Sequence, residues 1–237
     1  MSETHGSARP PGLNDGENMR ILDLEMGLRA RNDRLAAGHR SRLQAAGTLV
    51  LNLVSSPGAG KTSLLLATLK RLARRLPVAV IEGNHTNEID AERIRATGVA
   101  AVQLDSGTCS QLDADMVSRA LDRLALPLGG VLFVENDGNL GGPRGFDLGE
   151  ARRVVVASVT DGNDNPLKYP DLFAGADLLV VNKIDLLPHL DFDVDALMDN
   201  ARRLNPAMEL LEVSAVTGAG LERWLAWIET ERQLLAA

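Results

Sequence analysis

"TLVLNLVSSPGAGKTS", residues 48–63, is the stretch whose reading decides the fold. The apolar run 48–54 suits a strand buried on both faces of a sheet. Next comes "SSPGAGKT", which matches G-x-x-x-x-G-K-[ST] except that Ser55 stands at the first glycine position. A strand before it and a helix after it are the context in which this pattern means a phosphate loop. The plain alternative is a glycine-rich turn that binds nothing. In a phosphate loop, successive backbone N–H groups and the helix N-terminus point at phosphate oxygens. Gly58 and Gly60 let the backbone come close without a Cβ in the way. The candidate cradle is Ser56, Gly58, Ala59, Gly60, Lys61, Thr62 and Ser63. Lys61 adds a point charge at the β- and γ-phosphates, and the Thr62 hydroxyl is a candidate Mg²⁺ ligand.

Apolar strands and helical stretches alternate from this point onward. Helices are expected at 61–75, 88–97, 112–126, 194–204 and 220–235. Strands are expected at 77–83, 99–104, 129–135, 152–159, 176–183 and 208–215. The alternation predicts an α/β fold of the P-loop NTPase type, a mostly parallel twisted sheet with helices on both faces. Residues 47–237 form that domain. Residues 19–46 read as an N-terminal helical extension, one long helix or two short ones. Only Gly27 and Gly38 interrupt its helix formers, and Ile21, Leu22, Met26, Leu28 and Leu35 offer an apolar stripe. Residues 1–18, rich in Gly, Pro, Ser and Asn, read as a flexible tail.

Composition narrows the function. The 237 residues are 45% hydrophobic and 24% charged, as in ordinary soluble domains. A net charge of −7 and a pI near 5.2 argue against a nucleic-acid partner. Cys109 is the only cysteine, so there is no internal disulfide and no thiolate-rich metal site. No apolar run approaches the roughly 20 residues that span a bilayer. Residues 1–18 hold no apolar stretch of signal-peptide type, so a cytoplasmic location with no membrane partner is expected.

"VVNKID", residues 180–185, ends a predicted strand. There Asp185 can accept two hydrogen bonds from the N1–H and 2-amino group of guanine. Adenine has neither donor, and binding it would leave a carboxylate unpaired. Asn182 braces the loop, and the Lys183 stem lies over the base. Ser214 and Ala215, in "VSA" at 213–215, fit a backbone contact to guanine O6. In "LFVENDGN", residues 132–139, Glu135 ends a strand and Gly138 follows three residues later. Glu135 is placed to hold Mg²⁺, directly or through a water, and the Gly138 N–H to sense the γ-phosphate. Lys61, Thr62, Glu135 and Gly138 are thus the candidate catalytic set. Asp137 has no assigned role. No clear arginine finger and no water-orienting glutamine is evident. Slow intrinsic GTP hydrolysis, accelerated by dimerisation or a partner, is the expectation.

With these residues in place the chain resembles a known family. "LVSSPGAGKTSLL", "VIEGN", "RIRATG", "LDADMV", "ENDGNL", "FDLGEARRVVVASVTDG", "PLKYPDLF", the "NKIDLLP" and "LDFDVD" blocks, and "WLAWI" look like the hydrogenase nickel-incorporation GTPases, the HypB family. The likeness runs from about Gly47 almost to the C-terminus. It implies a SIMIBI-class G protein that binds GTP or GDP with Mg²⁺, dimerises on GTP and helps load nickel into [NiFe]-hydrogenase. It also implies two partners, a second accessory metallochaperone and the hydrogenase large subunit, and a subunit-bridging Zn²⁺ or Ni²⁺.

The chain departs from that pattern at the metal. Ser110 and Gln111 stand at the family's Cys-His positions, with Cys109 one residue early, and Gly142 stands where a second Cys is usual. A hydroxyl, an amide and a glycine are poor ligands for such cations. Cys109 with His85 or Asp105 forms a makeshift site, or is simply a small buried or loop residue. Asn84 replaces an Asp that would assist Mg²⁺ or the switch. His5, His39, His85 and His189 are scattered. Two other readings remain open: a related chaperone for a urease-type or cobalamin-enzyme-type client, and a GTP-gated docking protein with little turnover.

Overall fold

The strand that opens the phosphate motif, β1 (Leu49–Ser55), is buried at every position. It sits in mid-sheet with a neighbour on each side. The computed structural model describes residues 15–83, 88–104, 112–137 and 145–236. The other strands are β2 (Val78–Glu82), β3 (Ala100–Gln103), β4 (Val131–Asp137), β5 (Arg152–Ser158), β6 (Leu178–Asn182) and β7 (Glu209–Glu212). They form one seven-stranded sheet in the order β3-β2-β4-β1-β5-β6-β7. Every neighbouring pair is parallel. From β1 the chain runs outward to β2 and β3, returns as β4 beside β1, then crosses to β5 on the other side. This reversal opens a crevice at the C-terminal end of β1, where ligands bind in open α/β sheets.

Helices cover both faces. They are α1 (Asp15–Ala45), α2 (Lys61–Leu72), α3 (Glu88–Arg95), α4 (Ala114–Leu121), α5 (Asn165–Lys168), α6 (Pro170–Ala174), α7 (Val194–Leu204) and α8 (Leu221–Ala236), with a 3₁₀ helix at Ile184–His189. On one face Leu64, Leu65 and Leu69 of α2, Ile94 of α3 and Trp224 and Ile228 of α8 pack on Leu51, Leu53, Phe133 and Val156. The buried Trp224 indole donates to Thr68 Oγ1 at 2.9 Å, which removes the cost of burying its N–H. The other face carries two apolar clusters. One joins Leu43 of α1 and Val117 and Leu121 of α4 to Val50, Ile81 and Val134. The second joins Phe173 of α6 and Leu197 and Ala201 of α7 to Val155, Leu179 and Val181. Between them lies a buried polar group. Glu150 Oε1 accepts from Asn52 Nδ2 at 3.1 Å and from Arg153 Nη2 at 2.6 Å, and Oε2 accepts from the Leu148 N–H at 2.8 Å.

The N-terminal extension is a single helix of 31 residues that starts at Asp15, inside the stretch expected to be tail. The expected apolar stripe is corrected: of its members Met26 and Leu28 are exposed, as is the neighbouring Leu24, and Leu35 is half-buried. The helix packs through its C-terminal half instead, with Asn32, Ala36, His39 and Leu43 buried on one side. Polar groups do much of the fastening. Asn32 Oδ1 accepts from the Ala114 N–H at 2.8 Å, and its Nδ2 donates to the Asp147 carbonyl at 2.8 Å. Arg40 Nη2 donates to Asp147 Oδ1 at 2.6 Å. The His39 ring lies 2.7 Å from Ser118 Oγ and 3.3 Å from the Leu148 carbonyl, and burial pushes its pKa below the ordinary histidine value.

Other corrections are local. The helix expected at 112–126 is only Ala114–Leu121, and the strand expected at 208–215 is only Glu209–Glu212. The helices α5 and α6 fall in a stretch for which no element was expected; Pro166 and Pro170 stand in their first turns, where a missing N–H costs nothing. Among the described residues no helix is long and apolar enough to cross a membrane.

Candidate functional site

The phosphate loop connects β1 to α2. Ser55, at the position where the motif calls for glycine, is the last residue of β1 and pairs in register with Asp137 and Val156. Lys183 is the only non-glycine with positive φ among the described residues, so Ser55 has no left-handed backbone that would require glycine. Gly58 and Gly60 do have one, at φ +80° and +88°. The N-cap of α2 is Gly60 itself, with no capping side chain and no acid in the first turn. By contrast, α4 and α7 are capped by Asp113, bonded to the Met116 N–H at 2.8 Å, and Asp193, bonded to the Ala196 N–H at 3.0 Å. An uncapped N-terminus free of carboxylates keeps its amides for an external anion.

Three side chains converge at the head of α2. Thr62 Oγ1 donates to Glu135 Oε1 at 2.7 Å, and Lys61 Nζ lies 4.0 Å from the same oxygen and 3.4 Å from Ser55 Oγ. The Lys61 side chain is 7% exposed and that of Glu135 1%. A buried cation and a hydroxyl thus meet one carboxylate oxygen, Glu135 Oε1. The hydroxyl and the carboxylate form a pair of the hard-oxygen type that suits Mg²⁺.

The 180–185 segment reaches across to the same loop. Asn182, 1% exposed at the end of β6, donates through Nδ2 to the carbonyls of Ala59 at 3.0 Å and Gly60 at 3.3 Å. Its Oδ1 accepts from the Ala215 N–H at 3.1 Å. Lys183 has φ +63° and donates through Nζ to the Gly58 carbonyl at 2.7 Å. Its left-handed backbone costs about 1–2 kcal/mol and sets the turn that aims Asp185. The Asp185 carboxylate accepts from Ser214 Oγ at 2.5 Å, and Ser214 is fully buried. These bonds place the phosphate loop, the 182–185 turn and the 213–215 turn in one connected unit. The Ala215 N–H, expected at a purine O6, is held by Asn182 and has to be shared to reach one.

Sequence reasoning missed Asp161. Its Oδ2 accepts from Ser56 Oγ at 2.7 Å, the Ser158 N–H at 3.1 Å and Asn165 Nδ2 at 3.4 Å, tying the phosphate loop to the end of β5. Ser56 and Asp161 are 105 positions apart, and no local pattern links them. Ala59 is buried and Ser63 exposed. Gly138, the makeshift-site residues Cys109, His85 and Asp105, the replacing residues Ser110, Gln111 and Gly142, and Asn84 lie outside the described residues. His39 is buried on α1, with Ser118 of α4 and the Leu148 carbonyl as its hydrogen-bond partners, and His189 is exposed. Among the described residues no three His, Cys, Asp or Glu side chains gather where a metal ion would sit.

Comparison with known proteins gives the family. The family described as CobW/HypB/UreG, nucleotide-binding domain, matches residues 49–212. Hydrogenase maturation factor HypB of Azotobacter vinelandii is 56% identical over 225 residues, covering 95% of this chain and 73% of that protein. Its counterpart in Escherichia coli K12 is 50% identical over 230 residues, covering 96% of this chain and 78% of that protein. The crystal structure of HypB from Helicobacter pylori in complex with nickel has a TM-score of 0.80 at 33% identity, covering 86% of this chain and 95% of that one. The chain belongs to the HypB family of hydrogenase maturation factors.

Proposed function

We propose that this chain binds GTP with Mg²⁺, hydrolyses it slowly, and works as a GTP-dependent dimer that assists nickel insertion into a [NiFe]-hydrogenase. Residues 47–237 serve as the GTPase domain and 19–46 as its helical extension. The observation that carries the reading is the pair of bonds from Asn182 Nδ2 to the Ala59 and Gly60 carbonyls. They join a phosphate loop to a guanine-type turn in a single site.

In this reading the N–H groups of the 56–63 loop bind the phosphates, and Lys61 neutralises the β/γ bridge. Thr62 and Glu135 hold Mg²⁺, which screens the phosphate charge when bound. Asp185, oriented by Ser214, accepts from the guanine N1–H and 2-amino group. The Lys183 stem covers the base, and the Gly138 N–H reads the γ-phosphate. Catalysis rests on positioning and charge, and the described residues include no arginine or glutamine assigned to the attacking water. Turnover is therefore slow until a second subunit or a partner completes the site.

The family's transition-metal site does not fit the donors here. Ser110, Gln111 and Gly142 replace its ligands, and Cys109 alone is insufficient. The chain regulates nickel delivery by a second accessory metallochaperone to the hydrogenase large subunit rather than carrying the ion. Phosphate release under multiple turnover, with Mg²⁺-GTP against Mg²⁺-ATP, tests the enzymatic half. Release with GTP, absent with ATP and lost in Lys61→Ala, is expected; equal rates with both nucleotides overturn it. Deleting the gene and assaying hydrogenase with and without added nickel tests the client, and unchanged hydrogenase activity overturns that half.

A further inference from the structure

Asn182 fastens the phosphate loop near its end, at the Ala59 and Gly60 carbonyls. Asp161 fastens its beginning. This residue lies just beyond β5, the strand beside β1. Its carboxylate is anchored before it reaches the loop. Oδ2 accepts from the Ser158 N–H at 3.1 Å, and the Asp161 N–H donates to the Ser158 carbonyl at 2.9 Å. Ser158 is the last residue of β5 and is buried, so the turn is set on the sheet itself. From that anchor Oδ2 accepts from Ser56 Oγ at 2.7 Å, as short as hydroxyl bonds to carboxylates are.

Ser56 passes the constraint on. Its carbonyl accepts from the Ala59 N–H at 3.3 Å, which closes the turn of the loop, and from Ser55 Oγ at 2.9 Å. A hydroxyl carries one hydrogen. Ser55 Oγ gives its hydrogen to that carbonyl and so turns a lone pair to Lys61 Nζ, which donates to it at 3.4 Å. The contacts therefore run from Asp161 through Ser56 and Ser55 to Lys61, from a strand end to the cation of the site. Ser55 and Lys61 are both buried, so water does not screen the last contact, and polar bonds hold more firmly in such surroundings. Glycine at the first motif position could not make this link.

Resting on the reading of residues 56–63 as a nucleotide cradle, we propose that Asp161 is a positioning residue of the phosphate site. Through Ser56 and Ser55 it fixes the entry of the loop and the place from which Lys61 meets the phosphates. It acts on the nucleotide only through these residues. The plain alternative is a staple that holds the turn after β5 and nothing more. The two differ in what removal does: a staple costs stability, whereas a positioning residue also costs phosphate affinity.

The test uses the full chain and a fluorescent GTP, with Kd read by titration in Mg²⁺ and folding by melting temperature. Asp161→Ala and Ser56→Ala are each expected to weaken binding roughly tenfold. Asp161→Asn keeps an acceptor oxygen and is expected to recover most of that loss. The double variant Ser56→Ala/Asp161→Ala is expected to lose little more than Asp161→Ala, because both changes remove one bond. Wild-type affinity in Asp161→Ala, with only the melting temperature lowered, shows a staple and overturns the proposal. So do losses that multiply in the double variant, or an Asp161→Asn chain that binds no better than Asp161→Ala. If Asp161→Ala does not fold, Ser56→Ala and Asp161→Asn decide: wild-type affinity in Ser56→Ala overturns the proposal, and a tenfold loss there with near wild-type binding in Asp161→Asn supports it. No GTP binding by the wild type overturns this inference together with the nucleotide reading, whereas binding that no variant weakens overturns this inference alone.

Discussion

Gly60→Ala places a methyl 2.5 Å from Asn182 Nδ2, on a backbone with φ +88°. The left-handed backbone alone costs an L-residue about 1–2 kcal/mol. Asn182 must also move, which breaks its bonds to the Ala59 and Gly60 carbonyls and from the Ala215 N–H. With three bonds at about 0.5–1.5 kcal/mol each added to the backbone cost, the substitution costs about 2.5–6.5 kcal/mol in the native background. In an Asn182→Ala chain the methyl has room, and only the backbone term of about 1–2 kcal/mol remains. The two changes therefore fail to add by the three-bond contribution, about 1.5–4.5 kcal/mol, and the double variant is more stable than the summed singles imply. Urea unfolding of the four proteins, followed by circular dichroism, closes the cycle. Sites that do not communicate add to within about 0.5 kcal/mol, so additivity at that level refutes the strut between loop and turn.

Asp185→Asn is expected to weaken GTP binding by about 1–3 kcal/mol, as when a charged hydrogen-bond partner is lost, and to leave ATP binding unchanged; calorimetry showing an unaltered GTP/ATP preference contradicts the role. Ser214→Ala removes the donor on Asp185 Oδ1 and should cost about 0.5–1.5 kcal/mol of GTP affinity, less than Asp185→Asn in the same titration. Thr62→Ala takes away the hydroxyl bonded to Glu135 and should raise the Mg²⁺ concentration for half-maximal phosphate release, which a Mg²⁺ titration reads directly. Burial lowers the His39 pKa in the fold, so below about 6.5 the unfolded chain takes up more protons than the folded one. Stability from this group is full above that pH and is lost as pH falls through the depressed folded value. Asp147 is also held low: burial opposes this, but the hydrogen bonds from Arg40 and the Gly149 N–H and the charge of Arg40 together outweigh it, so its share is lost only in stronger acid. Melting temperature against pH should fall below about 6.5 in the wild type and fall less in His39→Gln.

What was legible depended on whether the chemistry was local. β1 and the phosphate loop are contiguous, and one run of apolar residues followed by "SSPGAGKT" carries both. The Asn182–Asp185 turn is equally compact. The bond from Ser56 to Asp161 spans 105 positions and leaves no trace in either segment. The short helices at Pro166 and Pro170 are shorter than the period that a helical pattern needs to declare itself. α1 misled because periodicity assumes apolar contacts. Leu24, Met26 and Leu28 stay in water while Asn32 and His39 are buried, each satisfied by a carbonyl and a second polar partner. A polar residue turned inward by its hydrogen bonds looks, in sequence, like one turned outward.

The carboxylate of Glu150, gripped by Asn52 and Arg153, splits the greasy lining of one sheet face into two compartments. Oil does not run continuously across that line, so loosening need not spread across it either. The half under α6 and α7 and the half under α1 and α4 can open one without the other. Amide-proton exchange in β6 and in β4 can then run at different rates on a single, otherwise unbroken sheet.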